Sequence, residues 1–308
     1  MRELVDILNG LQKLVGNRVR LREPLSKHTS LKIGGPADYF LELKNIEELT
    51  NVIEFSQKEN LDFFILGEGT DVLFSDEGFS GLVIQLKGEF ENFSIESEQV
   101  TAGAGVKLAT LVEKLANKGL AGLEFASGIP GSFGGAIVTN AGTKIGSIGD
   151  VTREIKIFSD GRVKILNREE INFSYRHCEL PGKAIILEAK LGLKNGKKSD
   201  IINKIKESLK QRKRNQPVST LNAGCVFKNP ETYEAGKLIE TAGLKGARFG
   251  DAEVSKKHAN FIINCGRAKA KDVYNLIEKI RKDVKEKFDI DLELELKVVG
   301  KGMNPAPP

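Results

Sequence analysis

The glycines of this chain are concentrated in one segment, and that concentration limits what the segment can form. The chain has 308 residues and 32 glycines, and eight of these lie between positions 121 and 150: Gly122, Gly128, Gly131, Gly134, Gly135, Gly142, Gly146 and Gly149. Glycine adopts left-handed backbone conformations without strain and lets the main chain approach another group closely. The segment therefore predicts a loop-dominated cradle for a ligand.

Length and composition predict a folded protein with more than one structural unit. A chain of 308 residues exceeds the usual single domain, and its 40% hydrophobic and 29% charged residues are close to globular averages. No apolar run approaches the length of a membrane span, and the first residues are typical of an amphipathic helix, not of a signal peptide. We therefore expect a cytoplasmic protein that does not enter a membrane.

The spacing of the cysteines indicates neither a disulfide framework nor a metal site. Cys178, Cys225 and Cys265 are an odd number of cysteines, and they are far apart in the sequence. The three histidines show no ligand spacing with them. We therefore predict three free thiols and no metal.

The net charge of +5 suits anionic small molecules as well as nucleic acid, so charge alone decides nothing. The most basic segment is residues 204–214, which has few aromatic residues on which bases could stack. Such a run is more often the solvated face of a helix than a nucleic-acid stripe. We therefore expect no nucleic-acid partner.

Hydrophobic periodicity predicts a mixed chain of the α+β class, because strands and helices follow one another without regular alternation. A polar link at 195–200 separates the last strand of the first part from a basic helix, and we place a domain boundary there. The predicted helices are 3–15, 46–58, 108–116, 201–214, one beginning at 235, and 270–288. The predicted strands are 39–43, 63–66, 72–74, 81–86, 93–101, 151–158, 162–166, 184–193, 225–227, 260–264 and 292–299.

Two glycine loops are candidates for binding a phosphate through main-chain N–H groups. A dinucleotide fingerprint is rejected at Gly103–Leu108, since Leu108 stands where the third glycine belongs, and a Walker A motif is absent. The loop 66–73 lies between predicted strands, and the loop 127–142 precedes a helix whose free N–H groups we expect to face an anion. Together they predict one nucleotide site.

Six motifs in a fixed order carry a resemblance to a known family. They are Leu66–Leu73, Ile129-Pro130-Gly131-Ser132 through Gly142, Ser174-Tyr175-Arg176, Ala223–Pro230, Ala235–Glu240 and Ser255–Phe261. In this order the chain resembles the shorter form of the UDP-N-acetylenolpyruvoylglucosamine reductases, from about Leu31 to Gly300. The resemblance implies a two-lobed FAD-binding domain of the vanillyl-alcohol-oxidase type, followed by a smaller α+β substrate-binding domain.

The same resemblance implies the domain ranges and the reaction. The ranges are an N-terminal helix and lead-in at 1–30, the FAD-binding domain at 31–198 with lobes at about 31–100 and 101–198, the substrate-binding domain at 199–302, and a frayed tail at 303–308. The reaction is the NADPH-dependent, FAD-mediated reduction of UDP-N-acetylenolpyruvoylglucosamine to UDP-N-acetylmuramate in peptidoglycan precursor synthesis. We therefore expect a cytoplasmic monomer whose partners are a UDP-sugar and NADPH.

The residues that the resemblance assigns to ligands fall in the quoted motifs. For FAD they are Gly67, Gly69, Thr70, Asp71, Val72, Gly128, Ile129, Pro130, Gly131, Ser132, Gly134, Ala136, Asn140 and Gly142. For the substrate they are Tyr175, Lys228 and Asn229. Asp71 departs from the family, which often has asparagine at this position. A carboxylate near the pyrophosphate would repel the pyrophosphate unless a cation or donor pairs with the carboxylate.

Reduction of an enol ether carboxylate sets requirements for two candidate catalytic residues. Negative charge develops on the carboxylate side of the double bond, so a fixed cation is needed there. Arg176 supplies one, although it is equally typical of a solvated loop arginine; in the resembling family this arginine contacts the substrate. Glu295 shares a charged strand face with its neighbours, which is typical of a solvated surface. The resemblance implies that Glu295 is catalytic.

Cys225 is the third catalytic candidate, because the reaction also needs an acid that protonates the carbon next to the carboxylate. A cysteine in this context is usually a small buried apolar residue. The resembling family commonly has serine here as the proton donor. A thiol with an ordinary pKa of about 8.5 is mostly protonated at neutral pH, so it suits the role, although it is open to oxidation.

Two alternatives remain open on the sequence alone. The first is another flavin-dependent oxidoreductase of the same fold with a different substrate. The second, which rests on the lysine-rich helix, is a basic nucleotide- or RNA-binding protein without a redox role. A bound flavin would exclude the second alternative. Turnover of the enol ether would distinguish this reductase from the first alternative.

Overall fold

A computed structural model describes residues 2–300 of the chain, and the tail that we expected at 303–308 lies outside the described residues. The described residues divide into two compact units. Unit 1 consists of residues 2–20, 39–67 and 82–211, and unit 2 consists of residues 21–38, 68–81 and 212–300. No helix of the described part is long and apolar enough to cross a membrane.

The helices and strands occur without regular alternation, as predicted. The helices are α1 Arg2–Val15, α2 Ile46–Lys58, α3 Leu108–Asn117, α4 Phe133–Val138, α5 Ile148–Val151, α6 Lys198–Asn215, α7 Ala235–Thr241 and α8 Ala270–Phe288. The strands are β1 Arg20–Pro24, β2 Pro36–Leu43, β3 Phe63–Ile65, β4 Val72–Phe74, β5 Phe79–Leu86, β6 Phe93–Glu96, β7 Gln99–Gly103, β8 Leu120–Ala121, β9 Gly142–Thr143, β10 Gly146–Ser147, β11 Thr152–Ser159, β12 Arg162–Asn167, β13 Asn172–Ser174, β14 His177–Glu179, β15 Ile185–Gly192, β16 Lys194–Asn195, β17 Leu221–Asn222, β18 Arg248–Phe249, β19 Ala252–Val254, β20 Ile262–Asn264 and β21 Lys297–Val299.

The main sheet of unit 1 has five antiparallel strands in the order β12-β11-β15-β7-β6. Its central strand β15 begins with the apolar run Ile185–Leu187, which is buried throughout, as expected for a strand covered on both faces. The β11–β12 hairpin turns at Asp160 and Gly161, which have φ values of +53° and +71°. These left-handed residues make the short turn that the Asp-Gly pair predicts.

Helix α2 of unit 1 shows how the local sequence determines its ends. The Oδ1 of Asn45 accepts a hydrogen bond from the backbone N of Glu48 at 2.8 Å, which caps the first turn. Leu49, Val52 and Ile53 are buried on one face and join the apolar core of the unit. The helix predicted at 46–58 is therefore confirmed with both of its bounds.

Unit 2 is built on a four-stranded antiparallel sheet in the order β17-β20-β19-β18 and on helix α8. Six residues of α8 are buried in the core of this unit: Ala270, Val273, Leu276, Ile277, Ile280 and Val284. The carboxylate of Asp76 accepts from the backbone N of Ala270 at 2.8 Å and of Lys271 at 3.1 Å. A distant loop thus satisfies two N–H groups that a helix start leaves without an intrahelical partner.

Three of the predicted strands differ most from the structure. Residues 93–101 form not one strand but the hairpin β6–β7, because Ser97 turns the chain with a φ of +57°. Residues 225–227 are not a strand: Phe227 makes one bridge, to Leu294, and its backbone N bonds the side chain of Asn260. The final strand is limited to β21, which pairs in parallel with β4.

Candidate functional site

Two of the predicted ligand loops meet in unit 1. Ser132 is the N-cap of α4, and its Oγ accepts from the backbone N of Gly135 at 3.2 Å. A Cβ at Gly67 would lie 2.4 Å from this same Oγ, so a larger residue at position 67 would displace the cap. The structure therefore brings Gly67, near the start of the 66–73 loop, against Ser132 of the 127–142 loop, as predicted for these two residues.

The start of α4 does not offer its first N–H groups to an anion, so that expectation was wrong. The backbone N of Phe133 donates to the carbonyl oxygen of Val106 at 2.7 Å, and that of Gly134 donates to Ala104 at 2.8 Å. The glycine turn after β7 lies across the helix start, where a Cβ at Gly134 would come within 2.7 Å of the Ala104 Cβ. The Gly103–Leu108 motif thus packs against the start of α4.

The residues before α4 fit a cofactor that contains a diphosphate. The Oγ of Ser127 is buried, and it has no hydrogen-bond partner within the described residues 2–300, so a polar group is present for a ligand to bond. Residues 127–136 contain no acidic side chain that would repel phosphate. Gly128 and Gly131 have φ values of +73° and +134°, which residues other than glycine rarely adopt.

A hairpin brings Tyr175 and Arg176 to the far end of the same loop. Strands β13 and β14 pair around a turn formed by these two residues, and Arg176 has a φ of +57°. The Nη1 of Arg176 donates to the carbonyl oxygen of Gly142 at 2.9 Å, and its guanidinium lies 5.4 Å from the centre of the Tyr175 ring. The structure therefore brings together three of the residues predicted for cofactor, substrate and catalysis.

Asn140 connects the loop to this hairpin. Its Nδ2 donates to the carbonyl oxygen of Ser174 at 2.8 Å, and its Oδ1 accepts from the backbone N of Gly149 at 2.9 Å. Ser174 directly precedes the turn that carries Arg176. The side chain of Asn140 is thus engaged with the protein at both its donor and its acceptor end.

Four of the predicted FAD residues, Gly69 to Val72, lie in unit 2. Gly69 has a φ of +63°, and a Cβ there would lie 2.0 Å from the carbonyl oxygen of His28. The carbonyl oxygen of Gly69 accepts from the backbone N of Ser30 at 2.9 Å. The close approach of this neighbouring segment requires glycine at position 69, so the glycine has a packing role in addition to any ligand role.

Cys225, Lys228 and Glu295 lie on two adjacent segments of unit 2. The backbone N of Lys228 donates to the carbonyl oxygen of Glu293 at 2.8 Å, and that of Glu295 donates to Val226 at 2.9 Å. The side chains of Lys228 and Glu293 form an ion pair, and Glu293 is exposed. Glu295 and Cys225 are half-buried, so neither is an ordinary member of a fully solvated face.

Asn229 and Asn260 both support the segment that carries Cys225. The Oδ1 of Asn229 accepts from the backbone N of Ala235 at 2.9 Å, at the start of α7. Asn260 is buried, with Oδ1 accepting from the Phe227 N at 2.9 Å and Nδ2 donating to the Phe227 O at 2.8 Å. In the sequence, Asn260 is notable only as part of a motif, because these bonds join residues 33 positions apart.

The three cysteines are free thiols, as predicted. Cys178 is buried below the Arg176 turn, and burial raises the pKa of its thiol to about 11, so it stays protonated and inert at neutral pH. Cys265 is exposed and Cys225 is half-buried. Across the described residues 2–300, no three histidine, cysteine or acidic side chains are grouped as ligands for a metal ion.

Comparisons with known proteins identify the two parts of the chain. A family model described as an FAD binding domain matches residues 37–166, and one described as the C-terminal domain of UDP-N-acetylenolpyruvoylglucosamine reductase matches residues 216–299. A protein named UDP-N-acetylenolpyruvoylglucosamine reductase from Lachnoclostridium phytofermentans is 45% identical over 306 residues, which cover 97% of this chain and 99% of that one.

A solved structure of the same family is also similar to this chain. The crystal structure of UDP-N-acetylenolpyruvylglucosamine reductase from Thermus caldophilus has a TM-score of 0.82 and 40% identity, and it covers 91% of this chain and 98% of that one. A variant of Phl p 4, a glucose oxidase, has a TM-score of 0.50 at 13% identity and covers 63% of this chain and 44% of that one. The second likeness shows the fold alone.

The FAD binding domain and the glycine-lined loop define an FAD-dependent oxidoreductase. The chain belongs to the UDP-N-acetylenolpyruvoylglucosamine reductase family. The resemblance, the fold class and the FAD cofactor expected from the sequence are therefore confirmed.

Proposed function

We propose that this chain reduces UDP-N-acetylenolpyruvoylglucosamine to UDP-N-acetylmuramate with NADPH as the reductant. The observation that supports the proposal most strongly is the 45% identity to a reductase of that name along almost the whole of both chains. The chain then acts in the cytoplasm as a monomer, in peptidoglycan precursor synthesis, and so contributes to cell wall formation, cell shape and division. The test is whether purified protein is yellow and oxidises NADPH only when the enol ether is present.

When bound, FAD would supply the hydride-transfer chemistry that links NADPH to the double bond of the enol ether. The residues that we propose to hold it are Gly67, Gly69, Thr70, Asp71, Val72, Gly128, Ile129, Pro130, Gly131, Ser132, Gly134, Ala136, Asn140 and Gly142. The buried Oγ of Ser127 is a further donor or acceptor in the same loop. Main-chain groups supply most of this set, which explains why the loop is rich in glycine.

Replacing Gly131 by valine should give protein that is purified without flavin colour. A branched Cβ at this position would occupy space that the backbone keeps clear for the diphosphate, and the φ of +134° would strain the new residue. The matched control is Gly161→Val, which introduces strain at a φ of +71° in a turn where a Cβ would meet no atom within 4 Å. Full flavin content in Gly131→Val, measured by absorbance, would reject this assignment of the loop.

Arg176 is proposed to bind the substrate carboxylate. A guanidinium stays protonated and can hold a carboxylate through two hydrogen bonds, so it stabilises the negative charge that develops as the double bond is reduced. The bond from its Nη1 to Gly142 limits the rotation of the side chain. Tyr175, Lys228 and Asn229 are proposed to contact other parts of the UDP-sugar.

Cys225 and Glu295 are the other proposed catalytic residues. Hydride adds to the methylene carbon, the electron pair of the double bond moves toward the carboxylate, and the Cys225 thiol gives its proton to the adjacent carbon. The resulting thiolate recovers a proton from solvent before the next turnover. Glu295 is bonded through its backbone to Val226, the residue after Cys225, so both residues belong to one local arrangement in unit 2.

The domain ranges are also part of this proposal. We propose an FAD-binding domain at 31–198, with lobes at about 31–100 and 101–198, and a substrate-binding domain at 199–302, after a lead-in at 1–30. The matched ranges 37–166 and 216–299 lie inside these two domains and support them.

A further inference from the structure

The carboxamide of Asn140 joins two segments that the proposed reaction uses. Its Nδ2 bonds the carbonyl oxygen of Ser174 at 2.8 Å, and its Oδ1 bonds the backbone N of Gly149 at 2.9 Å. Ser174 directly precedes the turn that carries Arg176, and Gly149 lies in α5. One side chain therefore holds the turn at one end and a helix of the same unit at the other.

The turn is attached to this loop at a second point. The Nη1 of Arg176 bonds the carbonyl oxygen of Gly142 at 2.9 Å, two residues after Asn140. The hairpin also packs on Gly149, where a Cβ would lie 2.7 Å from the Cγ of Phe173. Loop and turn thus contact each other on both sides of Tyr175, and the orientation of Arg176 depends on these contacts.

The backbone at position 140 does not by itself explain an asparagine. Asn140 follows α4 with a φ of +40°, in the left-handed region where helices often end. If ending the helix were its only role, glycine would serve at least as well, because glycine adopts this conformation without strain. Glycine at this position would lack the two side-chain hydrogen bonds to Ser174 and Gly149, which asparagine provides.

We propose that Asn140 is a positioning residue for Arg176, and that its carboxamide holds the Ser174–Arg176 turn in the orientation that the reaction needs. The inference rests on the proposed role of Arg176. A turn released from Asn140 would let the guanidinium move away from the substrate carboxylate. Small misplacements of a catalytic group lower the rate even when the group itself is present.

The test compares Asn140→Gly with Asn60→Gly. Asn60 follows α2 in the same unit with a φ of +52°, so the control makes the same change at the same kind of helix end. We expect Asn140→Gly to lower kcat per bound flavin about 10-fold, the effect of losing hydrogen bonds that orient a charged group, and to slow flavin reoxidation by the enol ether more than flavin reduction by NADPH. Asn60→Gly should change none of these.

A second variant and a double variant separate positioning from general loss of structure. Asn140→Asp keeps the acceptor for Gly149 but cannot donate to Ser174, so it should be at least as slow as Asn140→Gly. In an Arg176→Ala background, Asn140→Gly should change the rate of flavin reoxidation by less than about 2-fold, because the two residues act through one group. An undiminished 10-fold effect in that background, or an unchanged kcat in the single variant, would overturn the inference.

Hydrogen-exchange mass spectrometry distinguishes failure of this inference from failure of the proposed function. Amide exchange in residues 172–179 of the holoenzyme should be faster in Asn140→Gly than in wild type, and unchanged in Asn60→Gly, whatever the substrate is. Exchange at wild-type rates in Asn140→Gly would overturn the positioning role. Faster exchange in a protein that does not turn over the enol ether would reject the proposed substrate and keep the link between Asn140 and the turn.

Discussion

Arg176→Ala is expected to slow the reoxidation of the reduced enzyme by the enol ether about 10²- to 10³-fold, which is the usual result of removing one preorganised group that stabilises developing negative charge. The flavin should stay bound, because the guanidinium donates to the carbonyl oxygen of Gly142, at the far end of the loop. Flavin reduction by NADPH should stay close to the wild-type rate. Anaerobic stopped-flow absorbance measures the two half reactions separately.

Arg176→Lys is the matched control for charge. Lysine keeps a positive charge but lacks the planar fork that bonds a carboxylate at two points, so its rate should fall between those of wild type and Arg176→Ala. Reoxidation at the wild-type rate in Arg176→Ala would show that the arginine is an ordinary loop residue held by the Gly142 carbonyl.

Cys225→Ala should slow the same half reaction about 10²-fold or more, the usual effect of losing a general acid. Flavin reduction by NADPH needs no acid on the substrate, so that step should be nearly unchanged. Cys225→Ser should keep much of the activity, because a hydroxyl is the group that the family commonly has at this position. The measurement is again anaerobic stopped-flow absorbance of the flavin.

Cys265→Ala controls for the removal of a thiol from unit 2. Cys265 is exposed and its Sγ lies 4.0 Å from Oε2 of Glu253, and no role in the reaction is proposed for it, so its loss should leave both half reactions unchanged. Equal reoxidation rates in wild type and Cys225→Ala would mean that Cys225 only fills space. The proton would then have to come from another group.

The features that the sequence predicted correctly depend on neighbouring residues. Helix α2 has its cap, its apolar face and its basic last turn within 14 consecutive residues, 45–58, and the β11–β12 hairpin depends on the adjacent Asp160 and Gly161. The irregular backbone at 127–132 was found in the same way, from its glycine content, whereas the glycine-rich segment 121–150 also contains the short helix α4 and most of α5. Local propensity and side-chain period are sufficient in such cases.

The features that the sequence missed depend on contacts between distant residues. The first N–H groups of α4 are satisfied by Ala104 and Val106, which no local pattern near residue 133 indicates. Asn140 bonds Ser174, 34 residues later, and Asn260 bonds Phe227, 33 residues earlier. The β6–β7 hairpin was missed for another reason: its turn contains Ser97 in a left-handed conformation, where glycine or asparagine is the usual signal.

The most direct test of the account is an anaerobic titration of the purified holoenzyme. NADPH is added until the flavin is fully reduced, and the enol ether is then added in measured amounts while absorbance is recorded. The account predicts that one equivalent of UDP-N-acetylenolpyruvoylglucosamine restores the oxidised flavin spectrum, and that mass spectrometry finds one equivalent of UDP-N-acetylmuramate, heavier than the enol ether by two hydrogen atoms. A reduced spectrum that persists in the presence of excess enol ether would contradict the account.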